Sequence, residues 1–300
     1  MAQNLLTLSD LTHNELSTIL KESMRVKSNP EIYTGKLQGK QIGLIFEKPS
    51  TRTRVSLEVG ISQMGANAIY LGNKDLQISR GENIKDTAKV LSRFVDALVV
   101  RSNSHETQEE LARYANVPII NALSDYAHPL QVFADFTTII ENGLELENSH
   151  MTFMGDCNNN VCKSLLRGAS YTGLTFTLGA PEKYLPDEAF INELRKNGSV
   201  IHIQEDPAEA IKSADVVYTD VWVSMGDEDE AIQRKTDLKQ YQINNDLLAK
   251  AEKDIIVLHC LPAEYGQEIT EDVVNSKYSR IYDQAENRLH SVKAVLGHFF

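Results

Sequence analysis

The stretch that decides the fold is Gln41–Phe46, QIGLIF, followed directly by EKPSTRTR at residues 47–54. The apolar run is typical of a buried strand, and helical periodicity follows the Ser-Thr-Arg string. A strand that leads into hydroxyls and arginines at a helix start is typical of a phosphate site. The reason is that the first helical turn offers unpaired N–H groups and arginine adds a bidentate cation. A capped surface helix with solvated arginines is the competing interpretation of this string taken alone.

The same alternation of short apolar runs and helical periodicity continues through the chain. Thr12 and Glu15 form a capping box that predicts a first helix to about Ser28. Strands are then predicted at residues 41–46, 66–71, 97–101 and 118–122, with helices at 52–64, 82–94 and 105–115. A long helix at 128–142 precedes a second series of strands at 151–155, 174–178, 200–203, 216–220 and 255–260. The pattern predicts an α/β protein with two doubly wound parallel-sheet domains joined by interdomain helices.

Composition narrows the function classes. The 300 residues are 42% apolar, enough for a core in each of two domains, and no apolar run approaches the length of a membrane span. The N-terminus lacks the pattern of a signal peptide, so we expect a cytoplasmic protein. A formal net charge of −12 opposes binding to nucleic acid or to an anionic membrane. The three cysteines have no disulfide-framework spacing and are interpreted as reduced thiols.

Polar motifs follow the predicted strands at their carboxyl ends. STRTR follows the first strand, Arg101 ends the third, and Asp156, Asp220 and Cys260 follow or end strands of the second series. In open α/β sheets ligands bind beyond these strand ends, which predicts that the motifs serve one cleft.

Eight blocks of the chain, in this order, resemble the aspartate/ornithine carbamoyltransferase family. They are STRTR at 50–54, Gln77, Arg101, HPLQ at 128–131, GDCNNN at 155–160, DVWVSMG at 220–226, HCLP at 259–262 and ENR at 286–288. The resemblance covers nearly the whole chain, and the DVWVSMG and HCLP blocks are similar to those of the ornithine-using branch. It implies direct attack of the ornithine side-chain amine on carbamoyl phosphate, giving L-citrulline and phosphate, without metal or organic cofactor.

The resemblance also implies roles for individual residues. Carbamoyl phosphate would be bound by Ser50, Thr51, Arg52, Thr53, Gln77, Arg101, His128, Gln131, Cys260, Leu261 and Arg288. Thr53, Arg101 and His128 would donate to the carbonyl oxygen as it gains charge. Ornithine would be bound by Asn160, Asp220, Ser224 and Met225, with Asp220 on its α-ammonium group and the Cys260 sulfur beside its side-chain amine. Arg101, His128, Asp220 and Cys260 are the implied catalytic residues.

Assembly and domain boundaries are further implications. The family's catalytic unit is a trimer, and residues 74–81 match the loop that carries Gln77 to the phosphate site of a neighbouring subunit, so we expect a homotrimer or a multiple of trimers. We expect a carbamoyl-phosphate-binding domain at residues 1–133 and an ornithine-binding domain at 134–286, with a last helix at about 287–300 returning to the first domain.

Simpler interpretations accompany several of these residues. Arg101 alone could be an exposed strand-end arginine, His128 a structural cap before Pro129, and Cys260 an inert buried thiol. Cys157 and Cys162 suggest zinc, but no Cys/His pair lies near them in sequence.

Two departures from the family's pattern and two alternative functions stay open. Leu130 stands where ornithine-using members often have Cys, and Glu264-Tyr265-Gly266 lacks an Arg that many relatives have before the Gly. A carbamoyltransferase for putrescine or an N-acylated ornithine is one alternative function. A non-catalytic family member is the other.

Overall fold

The computed structural model describes residues 4–77, 81–223, 228–252 and 254–300. The chain divides into two compact units, one made of Met1–Thr137 with Glu286–Phe300 and one made of Thr138–Ala285. The first segment of the first unit was expected to end at residue 133, and in the structure it ends at Thr137. No helix in the described ranges combines the length and the apolar character that a membrane span requires.

The first unit is built on a four-stranded parallel sheet of order β2-β1-β3-β4. Its strands are β1 Gln41–Phe46, β2 Asn67–Gly72, β3 Ala97–Arg101 and β4 Ile119–Leu123. Its helices are α1 His13–Ser28, α2 Thr51–Gln63, α3 Ile84–Leu91, α4 His105–Tyr114 and the start of α5 Pro129–Glu141. Helix α1 begins at the predicted capping box, in which the Thr12 hydroxyl accepts from the Glu15 N–H. Short 3-10 turns lie at Leu8–Asp10 and Pro30–Tyr33.

The register of this sheet places the two predicted phosphate-site strands side by side. Phe46 at the end of β1 lies opposite Arg101 at the end of β3. All five residues of β3 are buried, and so are the last five of β1, as expected for inner strands covered on both faces. Edge strand β2 is only half-buried. Ile45, Leu98 and Val100 supply much of the core beside these strands.

The second unit is built on a five-stranded parallel sheet of order β7-β6-β5-β8-β9. Its strands are β5 His150–Met154, β6 Thr175–Gly179, β7 Ile201–Gln204, β8 Val216–Thr219 and β9 Ile256–His259. Its helices are α6 Asn160–Thr172, α7 Glu188–Lys196, α8 Pro207–Ile211, α9 Ala231–Asp237, α10 Asn245–Leu248 and α11 Glu271–Val274. Short 3-10 turns lie at Leu146–Asn148, Glu182–Tyr184, Glu228–Glu230 and Lys239–Tyr241. Two parallel-sheet α/β units confirm the predicted fold class.

One helix prediction was wrong. The last helix, α12 Ile281–Phe299, begins six residues before the expected start at residue 287. Ile281 is fully buried and the backbone N–H of Gln284 bonds to the Arg280 carbonyl, so the apolar anchor of this helix lies upstream of the ENR block. Arg288 therefore projects from the second turn of an established helix. The chain passes from the first unit to the second within α5 and returns within α12.

Candidate active site

Each sheet offers one topological switch point, where connections from neighbouring strands leave in opposite directions. In the first unit it lies between β1 and β3, and in the second between β5 and β8. Ligands of open α/β sheets bind beyond the strand ends at such points. STRTR follows β1, Arg101 ends β3, Asp156 follows β5 and Asp220 follows β8. Topology thus places the sequence motifs at these two positions.

The ends of β1 and β3 are tied together by backbone and side-chain bonds. The Glu47 N–H donates to the Arg101 carbonyl at 2.9 Å, and the Glu47 carboxylate accepts from the Asn103 N–H at 2.6 Å. Arg101 is buried at this tie. The cation is thus held on a fixed strand end rather than on a free loop.

Helix α2 begins inside the STRTR string. Ser50 is its extended N-cap residue and makes no side-chain capping bond, Thr51 is exposed, Arg52 is half-buried and Thr53 is buried. Arg54 differs from the donor role expected of the string. Its guanidinium stacks on Tyr70, 3.6 Å from the ring centroid, and pairs with Glu58 on the exposed helix surface.

Arg288 bonds to side chains of the first unit that the sequence predicts for the phosphate site. Its Nη2 donates to the Thr53 hydroxyl at 2.8 Å, and its Nη1 donates to the Gln131 amide oxygen at 2.5 Å. His128 Nε2 lies 3.5 Å from the same Nη1. These four side chains come from α2, the start of α5 and α12, and all four are at least nine-tenths buried. The structure therefore brings together three sequence blocks that span more than two hundred residues.

His128 is a neutral imidazole in this surrounding. Burial, with the cations of Arg288 and Arg101, lowers its pKa well below the ordinary value. A neutral ring near two arginines can donate one N–H to a developing oxyanion while leaving the cationic charge to its neighbours.

Gln77 stands apart from this cluster. It follows the turn at residues 73–75 after β2, and its side chain is exposed. Residues 78–80 of the predicted intersubunit loop lie outside the described residues.

In the second unit, the GDCNNN block forms the turn from β5 into α6. Asn159 caps α6 by accepting from the Cys162 N–H, so Asn160 is the first helical residue. The Asp156 carboxylate accepts from the Asn158 N–H at 3.0 Å and pairs with Arg234 at 2.8 Å. Gly155 has a φ of +110°, and a Cβ there would lie 3.0 Å from Trp222 Nε1, so both the turn and the close approach of Trp222 favour glycine.

Asp220 and Cys260 meet at the ends of β8 and β9. The Cys260 thiol hydrogen-bonds to the Asp220 carboxylate, whose Oδ1 also accepts from the Val221 N–H. Desolvation raises the pKa of Asp220 above its ordinary value, and these two hydrogen bonds oppose the rise. Ser224 and Met225 lie outside the described residues.

Two buried side chains, His259 and Glu268, hold the turn that presents Cys260 and Leu261. His259 Nδ1 accepts from the Leu261 N–H at 2.8 Å, so its Nε2 carries the proton and donates to Glu268 at 3.0 Å. The Glu268 carboxylate also accepts from the Glu264 N–H at 2.7 Å. Leu261 has a φ of +57° and precedes a cis proline. Sequence reasoning missed Glu268, and its position within an acidic loop gave no signal.

Asp220, His259 and Cys260 each offer one metal-ligand atom, and these atoms lie within 4.8 Å of one another. The set fits a metal poorly, because both ring nitrogens of His259 already make hydrogen bonds. An ion here would have to break the bond that holds Leu261 or the bond to Glu268.

Comparison with known proteins adds to this geometry. Residues 3–141 match the family model of the carbamoyl-P binding domain of aspartate/ornithine carbamoyltransferases, and residues 147–299 match the model of the Asp/Orn binding domain. The chain belongs to the aspartate/ornithine carbamoyltransferase family. The predicted resemblance is thereby confirmed over nearly the whole length.

The similar relatives and solved structures described next are all named ornithine carbamoyltransferases. The ornithine carbamoyltransferase of Methanosphaera stadtmanae is 52% identical, with 99% of each chain covered. The solved ornithine carbamoyltransferase of Pyrococcus furiosus is 45% identical, has a TM-score of 0.93 and covers 98% of this chain and 96% of its own. That of Thermus thermophilus is 40% identical, with a TM-score of 0.90 and coverage of 100% and 99%.

Proposed function

We propose that the protein is an ornithine carbamoyltransferase. The ornithine side-chain nitrogen attacks the carbonyl carbon of carbamoyl phosphate, the bond from that carbon to the phosphate oxygen breaks, and phosphate leaves with the electron pair. The amine gives up one proton, which the reaction balances on the departing phosphate as HPO₄²⁻, and the products are L-citrulline and phosphate. The observation that carries the proposal is the buried cluster of Arg288 with Thr53, Gln131 and His128. The choice of ornithine rests on the relatives, which are named for it.

The first unit supplies the residues that we propose for carbamoyl phosphate. Arg52, Arg101 and Arg288 supply cationic charge to the dianion, together with the hydroxyls and N–H groups of residues 50–53. Thr53, Arg101 and neutral His128 donate to the carbonyl oxygen as the tetrahedral transition state forms. This is catalysis by prearranged donors, which act without reorganisation when charge develops.

The second unit supplies the residues that we propose for ornithine. Asn160 and Asp220, with Ser224 and Met225 of the DVWVSMG block, bind the α-carboxylate and α-ammonium groups. Cys260 lies beside the side-chain amine, and the carbonyls of Cys260 and Leu261 accept from the carbamoyl NH₂. The amine must be neutral to attack, and its reference pKa near 10.4 means that deprotonation costs roughly 4–5 kcal/mol at neutral pH. The raised pKa of Asp220 reflects surroundings of low polarity. Low polarity strengthens the proposed ion pair between this carboxylate and the α-ammonium group of ornithine, which is distinct from the side-chain amine.

We propose a homotrimer or a multiple of trimers for the assembly. Exposed apolar side chains on the first unit support it: Val55, Val59, Ile69, Val90 and Phe94. They come from α2, β2, α3 and the turn after α3, and their burial between subunits would remove apolar surface from water. Gln77 is exposed on the same unit and would serve the phosphate site of the neighbouring subunit. We further propose that the enzyme acts in the cytoplasm.

The decisive experiment is a product assay with several amines. Purified protein is incubated with carbamoyl phosphate and ornithine, putrescine or Nα-acetylornithine, and the carbamoylated products are identified by mass. We expect citrulline to form with the highest kcat/KM. Preference for another amine would overturn the ornithine assignment, and no product from any amine would overturn catalysis. The Arg113→Ala variant, altered on the exposed last turn of α4, serves as a matched control against Arg101→Ala.

A further inference from the structure

A buried carboxylate lies directly behind the proposed phosphate-side cluster, at Asp135. Its Oδ1 accepts from Gln131 Nε2 at 2.7 Å, and the Gln131 oxygen in turn accepts from Arg288. Arg288 then donates to Thr53. Asp135 is fully buried, and it lies four residues after Gln131, one turn along the same face of α5. The result is a continuous chain of hydrogen bonds from a carboxylate to the N-terminal turn of α2.

This chain fixes the orientation of the Gln131 amide. A glutamine amide has one accepting oxygen and one donating NH₂ group, and a half turn exchanges them. Arginine can only donate and a carboxylate can only accept. With Asp135 on one side and Arg288 on the other, only one orientation of Gln131 satisfies both neighbours.

The Gln131 amide lies between the Asp135 carboxylate and Arg288, so Asp135 does not compete with phosphate for the same donors. A buried arginine needs a compensating charge. In the second unit Arg234 has that charge in direct contact, since it pairs with Asp156 at 2.8 Å. A carboxylate in direct contact with Arg288 would occupy the donors that the phosphate dianion requires. Placing the carboxylate one amide away balances the charge through the Gln131 amide.

We propose that Asp135 is a positioning residue for carbamoyl-phosphate binding, acting through Gln131 to hold Arg288 in its phosphate-binding orientation. This inference rests on the proposed function, because it assigns the ligand of Arg288. If the inference holds, loss of Asp135 weakens the binding of carbamoyl phosphate and leaves the binding of ornithine unchanged.

The test measures carbamoyl-phosphate binding by calorimetry without ornithine, and steady-state constants with it. Asp135→Ala should weaken carbamoyl-phosphate binding and lower kcat/KM for it by roughly 10- to 100-fold, while the ornithine KM at saturating carbamoyl phosphate stays within about twofold. Thr137→Val is the control, because this buried hydroxyl on the same helix donates only to the Phe133 carbonyl in the bonds described here. An Asp135→Ala effect no larger than that of Thr137→Val overturns the inference.

A double variant separates positioning from general stability. If Asp135 acts through Gln131, then adding Asp135→Ala to Gln131→Ala should change kcat/KM by less than about twofold, whereas an additive loss overturns the inference. If Asp135→Ala does not fold, Asp135→Asn carries the test, because it keeps shape and an acceptor while removing charge. We then expect a loss of several-fold in carbamoyl-phosphate binding, and unchanged binding overturns the inference. A parent protein that binds carbamoyl phosphate but forms no citrulline would contradict the proposed amine and leave the Asp135 assignment standing.

Discussion

Arg101 illustrates how one residue acquires a role from the strand that carries it. A strand-end arginine is ordinarily exposed, but this one is buried where the Glu47 N–H ties β1 to β3. Its cationic side chain is held close enough to His128 to help lower the pKa of that imidazole. Both effects follow from the strand order, which puts β1 and β3 side by side.

We expect Arg101→Ala to lower kcat/KM for carbamoyl phosphate by roughly 100-fold or more, since a charge-assisted bond to a dianion is lost in the transition state. Citrulline formation and calorimetry measure the effect. Folding, followed by thermal unfolding, should change little. Near-normal turnover in this variant, or an equal loss in Arg113→Ala, would remove Arg101 from the site.

Asp220 illustrates the opposite case, a residue that costs stability. Desolvation raises its pKa, so the unfolded chain ionises this carboxyl at a lower pH than the folded chain does. Its contribution to stability is therefore fully present below the unfolded pKa, near 3.9, and is lost as pH rises through the folded value. At neutral pH the ionised group opposes folding.

We expect Asp220→Asn to raise the melting temperature at pH 7 and to lower kcat/KM for ornithine by roughly 100-fold, a trade of activity for stability. The stability gain should shrink as pH approaches 4. Calorimetric binding of carbamoyl phosphate should be nearly unchanged. Asp254→Asn, at an exposed carboxylate, is the matched control. A lower melting temperature at pH 7 would contradict the assigned direction.

At the scale of elements, the turn after β9 is held by side chains rather than by backbone pairing. His259 accepts the Leu261 N–H, and Glu268 fixes His259 and the Glu264 N–H through one carboxylate oxygen. All of the chemistry proposed for Cys260 depends on this small arrangement. Glu268 is fully buried, so losing its bonds leaves polar groups without water.

We expect Glu268→Ala to destabilise the protein by about 2–4 kcal/mol, because the buried His259 Nε2–H and the part-buried Glu264 N–H lose their acceptor. Glu268→Gln should cost less than about half of that, since its amide oxygen can accept both bonds. Thermal and urea unfolding measure both variants, with the exposed Glu252→Ala as the control. Equal destabilisation by Ala and Gln would show that charge, rather than the accepting oxygen, holds the turn.

Strands were predictable from the sequence because their apolar runs are short and bounded by polar motifs. Strand β1 was predicted to the residue, and β2 and β4 differ by one position. The start of α12 was missed because residues 281–286 mix apolar, aromatic and acidic side chains without a capping signal. Helices α7 to α11 were not predicted, and four of the five span seven residues or fewer, too short for a periodic pattern.

The candidate site was predictable only as far as its motifs reach. STRTR, HPLQ and HCLP point to the edge of a sheet, but Asp135 and Glu268 carry no motif. Asp135 shows one weak signal, a carboxylate four residues after Gln131 in an otherwise apolar helix. Contacts such as Arg288 to Thr53 join residues 235 positions apart, and no local pattern encodes that distance.

At the scale of the whole molecule, the proposed trimer makes each site a product of two chains. Arg52 lies half-buried on the first turn of α2, whereas Gln77 is exposed beyond β2. In a closed ring, each site would combine Arg52 of one subunit with Gln77 of the next.

We expect Arg52→Ala and Gln77→Ala to be strongly impaired separately and to complement each other when refolded together in equal amounts. Random assortment around the ring should restore roughly a quarter of the sites. Citrulline formation measures the recovery, and light scattering confirms mixed assemblies. If samples that contain mixed trimers show no activity above that of the separate variants, Gln77 is a surface residue and does not contribute to the neighbouring site.

The first unit consists of two separate segments, Met1–Thr137 and Glu286–Phe300, so it cannot be completed until the second segment has been synthesised. Its phosphate-side cluster stays incomplete until α12 arrives, because Arg288 joins Thr53 and Gln131 from the last fifteen residues. Lys293, anchored on Gln63, and Asn287, bonded to Lys27, dock that same late segment. A chain that ends before α12, whether still on the ribosome or released early by a stop codon, thus carries nearly every motif but lacks Arg288 of the proposed phosphate site. The proposed phosphate site therefore depends on residues 286–300, and we expect products truncated before Arg288 to be inactive.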